Sequence, residues 1–224
     1  MTLVRSASAL GSLALVLALV VATGCGVQNG DGGSDSSSSS SSTPARTAPA
    51  DGQSTPQQPT GGATQLGGIS FAPIEGWNDL GANGMRKAVY QHPPVEGDAE
   101  AAEITVFYFG PDQGGTIESN IQRWIGQMQT ADGGDATANA VRSKLTTGNG
   151  LDVHFVEVDG TYMKSMGGGP MTGGRKKAMP GFRMVGAIVE APQGNVFFKL
   201  VGPSATAKAM EEGMRKMLDE ATKV

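Results

Sequence analysis

The second half of this chain alternates long, apolar-rich runs with very short polar breaks, and that pattern restricts the fold more than any other feature. Residues 141–147 and 151–162 flank Gly148-Asn149-Gly150, and residues 183–190 and 195–201 flank Ala191-Pro192-Gln193-Gly194. Glycine and asparagine tolerate positive φ, so breaks of this length turn a strand back on itself. Parallel neighbours would need a much longer crossover. Residues 104–109 alternate aliphatic and aromatic side chains before Gly110-Pro111 and read as another strand; 85–91 and 69–71 carry weaker versions of the pattern.

Two segments have helical rather than strand periodicity. In 116–129, Ile117, Ile121, Trp124, Ile125 and Met128 fall on one face, with Thr116 placed to cap the first turn and Glu118 near the positive end of the helix dipole. The second helix follows Gly202-Pro203, with Ser204 expected as its N-cap. Ala207, Met210, Met214, Met217, Leu218 and Ala221 form its apolar stripe. Glu211 with Arg215 and Glu212 with Lys216 are spaced as i,i+4 pairs on what reads as a solvated side. The expected class is α+β: an antiparallel sheet of six or seven strands covered by two main helices.

The folded part is expected to span residues 64–224. Ahead of it, Arg5 precedes an uncharged apolar stretch over 7–21, short for a spanning helix but suited to a signal peptide. The stretch ends in Ala22-Thr23-Gly24-Cys25, and Cys25 is the only cysteine of the chain. A lone cysteine excludes an internal disulfide. The tract 25–63 contains seven consecutive serines (36–42) and no large apolar residue after Val27. It cannot bury enough apolar surface to offset its ordering entropy, and reads as a flexible tether with a span of roughly 35 Å. With 17 Lys and Arg against 21 Asp and Glu, the net charge of −4 argues against a nucleic-acid partner.

Residues 22–25 resemble the bacterial lipoprotein signal, with Ala22 where Leu is commoner. The resemblance implies residues 1–24 as a removed signal peptide, a lipid on Cys25 and a place in the cell envelope. Gly26, rather than Asp beside the lipidated residue, points by the same resemblance to the outer membrane. In the folded part, Phe71-Ala72-Pro73-Ile74-Glu75-Gly76-Trp77 resembles the opening of PsbP-like domains. The segments 120–128 and 197–203 resemble bacterial lipoproteins of that architecture. The family implies a sheet sandwiched between helices and a non-catalytic role on a membrane complex; fold alone does not carry function.

Candidate sites are few. Asn120, Arg123 and Gln127 form a polar stripe on the first helix beside Trp124, and an arginine fork, two amides and an indole edge suit a carboxylate or a peptide. The segment 162–184 has Met163, Met166, Met171, Met179 and Met184 among glycines and Arg175-Lys176-Lys177, and reads as a flexible contact loop. Its thioethers, Met163, Met166 and Met171 above all, are the alternative: a carrier site for a small ligand or Cu(I). The connection 110–116 lacks a phosphate-loop ending. His92 and His154 have no partners spaced for a metal or a triad, and no nucleophile elbow occurs. The expectation is a non-enzymatic binding module without a cofactor, docking on an envelope protein.

Overall fold

The computed structural model describes residues 62–167 and 174–224. Cys25, most of the tether and Met171 lie outside the described residues. The strands are β1 (Thr64–Leu66), β2 (Ile69–Phe71), β3 (Asn78–Asp79), β4 (Arg86–His92), β5 (Ala102–Tyr108), β6 (Met128–Gln129), β7 (Val141–Thr146), β8 (Asp152–Ser165), β9 (Lys176–Glu190), β10 (Val196–Pro203) and β11 (Thr222–Lys223). The helices are α1 (Ile117–Ile125) and α2 (Ser204–Asp219).

The main sheet has eight strands rather than six or seven. Its order is β3-β4-β5-β10-β9-β8-β6, with β7 also paired to β8, and all of its pairings are antiparallel. The excess comes from two-residue strands, β3 and β6, too short to leave a period in the sequence. A separate three-stranded sheet, β1-β2-β11, joins the start of the domain to its C-terminus. The α+β class holds.

Period-two alternation divides the sheet residues between two cores. On one face, Val196, Phe198 and Leu200 of β10 join Ile104, Val106, Phe155, Val185 and Ala187 beneath Met210, Met214, Met217 and Leu218 of α2. On the other, Phe197 joins Val156, Val158, Met184 and Ile188 beneath Ile121, Trp124 and Ile125 of α1. Trp77 reaches α2 from the segment before β3, lying 6.2 Å from the Tyr90 ring and against Gly213, where a Cβ would meet it at 2.6 Å.

Helix α1 stops at Ile125 instead of continuing to Gln129. Gly126 ends it, and Met128–Gln129 pairs with Thr161 and Tyr162 of β8. Met128 is still buried, so the apolar periodicity continued past the end of the helix. Its seat is a glycine: a Cβ on Gly186 of β9 would collide with Cε3 and Cζ3 of Trp124, so the indole lies directly on the sheet.

At α2, Ser204 is the first helical residue and Pro203 the N-cap, without a side-chain cap. Asp98 supplies the missing acceptor from a distant loop, taking the Thr206 amide at 2.8 Å and the Thr206 hydroxyl at 2.6 Å. The Ser204 hydroxyl instead donates to Asp159 at 2.6 Å. Glu211, expected on a solvated side, is buried. Its Oε2 accepts from Nε of Arg183 at 2.9 Å, while the same guanidinium donates to Glu157 and Asp159 at 2.5 Å each. Arg215 closes the cluster on Glu157 and Glu211, with its guanidinium 4.2 Å from the Phe155 ring centroid. Removing one member of such a cluster strands the charges left behind.

Two substitutions probe these seats, both read by urea unfolding. Gly186→Ala is expected to cost about 2–3 kcal/mol and to red-shift tryptophan emission as Trp124 is lifted; an unchanged midpoint would mean that α1 is not seated there. Arg183→Ala is expected to cost about 3 kcal/mol or more, and a loss below about 1 kcal/mol, the range of exposed pairs, would place the cluster in solvent.

Candidate functional site

Helix α1 has nine residues, about 13 Å of helix, and packs on β8 and β9. The neighbouring part of the same sheet face, over β10, β5 and β4, contains a cleft of about 530 Å³. Phe107, Tyr162, Phe182 and Val201 form its apolar walls. Arg86, Glu100, Glu103, Lys164 and Lys199 are its charged members. The rings of Tyr162 and Phe182 stack at 6.4 Å with 16° between their planes. A register shift between Gly160 and Tyr162 lies where the β8–β9 hairpin forms this wall.

Lys199 occupies the middle of β10, opposite Thr105 of β5 and Gly186 of β9. Its ammonium donates to Oε1 of Gln127 and, at 3.4 Å, to the Tyr162 hydroxyl, and lies 5.0 Å from the Tyr162 ring centroid. An ammonium carries three donors. Among the described residues the third has no partner, and no carboxylate lies within ion-pair distance. Glu103, the nearby acid, is engaged by Arg86 at 3.4 Å and by the Thr105 hydroxyl at 3.1 Å. Burial, with the positive charges of Arg123 and Arg86 added, pushes the Lys199 pKa down to about 8. Burial pushes the Tyr162 phenol up.

The stripe expected on α1 is only partly a surface. Asn120 is buried: its amide nitrogen donates to the carbonyls of Gly114 and Thr116 at 2.8 Å each, and its oxygen accepts from Arg123. It fastens the 114–116 turn to the helix. Trp124 is a core residue over Gly186 rather than an exposed edge. Arg123 is exposed, and Gln127 is the member that reaches the cleft, through Lys199. The stripe thus borders the cleft.

The segment 162–184 is mostly strand, not loop. Tyr162 to Ser165 end β8 and Lys176 begins β9, with Lys164 directly opposite Lys177. Met179 and Met184 are buried, Met163 is partly buried beside Ala178, and Met166 is exposed. Met171 lies outside the described residues. The segment meets the cleft through Tyr162, Lys164, Ser165 and Phe182, with no methionine among the lining residues. His154 bonds Glu190 at 2.7 Å and His92 contacts its neighbour's carbonyl. Among the described residues no group of three or more His, Cys, Asp or Glu is placed to hold a metal.

Lys199, Tyr162, Phe182, Arg86 and Glu103 were not singled out from the sequence. One signal was there: Lys199 is the sole charge inside the run Val196, Phe197, Phe198, Lys199, Leu200, Val201.

A half-buried cation without a counter-charge is destabilising where its burial lowers its pKa, so Lys199→Met is expected to raise stability at pH 7 by about 1–3 kcal/mol. The folded pKa lies below the unfolded value, so the penalty is full below about pH 8 and is relieved as pH rises toward the unfolded lysine value near 10.4. Denaturant titrations from pH 7 to 10 should show the wild type gaining on the variant across that window; parallel profiles would mean that the ammonium is solvated. No protein-family model matches the chain, and no curated protein matches it in sequence.

Proposed function

We propose that this chain is a lipid-anchored protein of a bacterial cell envelope whose PsbP-like domain is a non-catalytic binding module, holding a small ligand in the cleft above Lys199. The carrying observation is the cleft: about 530 Å³, aromatic on its walls, with a half-buried ammonium that lacks a carboxylate partner among the described residues. Concave sites with apolar walls and a few placed polar groups are where small molecules bind. A central sheet with a helix on each face supports the PsbP-like reading. The apolar N-terminus ending at Cys25 supports the anchor, with the outer membrane as its place, and residues 26–63 supply the tether.

Docking on an envelope protein is a second reading, favoured by the β8–β9 arm. Like charges directly opposite on paired strands repel, and Lys164 faces Lys177 with Arg175 and Lys176 adjacent. An acidic partner surface would offset that repulsion.

Native mass spectrometry of the full-length protein, isolated from its own membrane in mild detergent, tests the ligand reading. The wild type is expected to carry a small molecule released on denaturation, and Val201→Trp, whose indole fills the cleft without adding a charge, to carry none. A wild type that is empty, or a variant equally loaded, would overturn it. Cys25→Ser should leave the membrane fraction.

A further inference from the structure

We propose that the ligand of this cleft is a carboxylate on a flat, apolar body, its charge seated on Lys199 and its body between the rings of Phe107, Tyr162 and Phe182. This rests on the ligand-binding reading above and adds the chemistry of the ligand. The walls select the body. Tyr162 and Phe182 already stack on each other, and Phe107 lines the same cleft from β5, two residues from Thr105, the cross-strand partner of Lys199. A flat ligand extends such a stack with offset or edge contacts.

The floor selects the charge. Arg183, on the opposite face of the same sheet, has carboxylates of Glu157, Asp159 and Glu211 around it. Lys199 has only the neutral oxygens of Gln127 and Tyr162. A partly desolvated ammonium with a free donor gains most from an anion brought by the ligand, because charge-assisted hydrogen bonds strengthen away from water. The charged or titratable groups around it are Arg86 of β4, Glu103 of β5, Arg123 of α1, Tyr162 and Lys164 of β8, and Glu100 ahead of β5. Arg86 and Arg123 add positive potential at the ammonium, and Glu103 is already occupied by Arg86 and Thr105. With Lys199, four cations stand against two carboxylates, a positive balance that suits an anionic ligand.

The test compares 2-naphthoate with its neutral isostere 2-naphthamide, titrated calorimetrically into the full-length chain in lipid nanodiscs, with empty discs subtracted. Naphthoate is expected to bind at least about tenfold more tightly than the amide, and Lys199→Met to remove that preference. Naphthoate affinity for the wild type should fall about tenfold or more between pH 7 and 9.5, as Lys199 loses its proton, and stay level for the variant. Lys208→Gln, exposed on α2 and outside the cleft lining, should retain the preference, and tryptophan emission checks that each variant is folded. Equal binding of the two probes, no binding of either, or a preference that survives Lys199→Met would each overturn the carboxylate assignment. A small molecule found on the native protein would leave the ligand-binding reading standing in those cases.

Discussion

The contact of Trp124 with Gly186 decides where everything on its side of the sheet can lie. Because β9 has no side chain there, the indole rests on the strand backbone and brings α1 down over β8 and β9. A nine-residue helix held at that spot covers β10 only around Phe197 and leaves the stretch of β10, β5 and β4 beyond it uncovered. The cleft is what the helix leaves open. Lys199 is the cross-strand neighbour of Gly186, so the residue that seats the helix adjoins the residue that charges the cleft. Asn120 keeps the start of α1 in place by taking up the carbonyls of the turn before it.

The two faces treat positive charge in opposite ways. On the α2 face, Arg183 and Arg215 share three carboxylates, and every member of the cluster has a partner. Such a cluster contributes geometry more than net stability, since its desolvation offsets much of its attraction. It specifies how α2 sits on β8 and β9. On the α1 face, Lys199 is half-buried with only neutral acceptors. A perturbed base in a cleft is where function is to be sought, and its destabilising character is what distinguishes it from the arginine on the other side.

Much of the architecture was legible because it rests on local rules. The turns at Gly148-Asn149-Gly150 and at 191–194, the apolar stripes of both helices and the long strands all follow from periodicity and backbone preference. The errors arose where distant residues intervene. Glu211 has the spacing of a solvated i,i+4 pair, and only the arrival of Arg183 from β9 makes it a buried one. Asp98 caps a helix that starts 106 residues later in the chain, a relation no local pattern carries. The methionines of 162–184 drew attention by composition, whereas the contribution of that segment to the cleft is aromatic and basic. Of the expected binding stripe, Arg123 and Gln127 lie beside the cleft, but Asn120 and Trp124 are consumed by the fold. A lysine in a strand ordinarily reads as an outward-facing residue, so the sequence carries little sign that Lys199 lies in the middle of a central strand.

The alternation along β10 has a consequence for folding fidelity. Phe198 and Leu200 point into the α2 core and Lys199 between them points into the cleft, so the strand is correct in only one phase. A slip of one residue against β5 or β9 would thrust the ammonium into a dry core and strip two large apolar side chains from it. The lysine expected to weaken the finished domain therefore penalises its misaligned competitors far more, and acts as a proofreading charge for the strand that carries it.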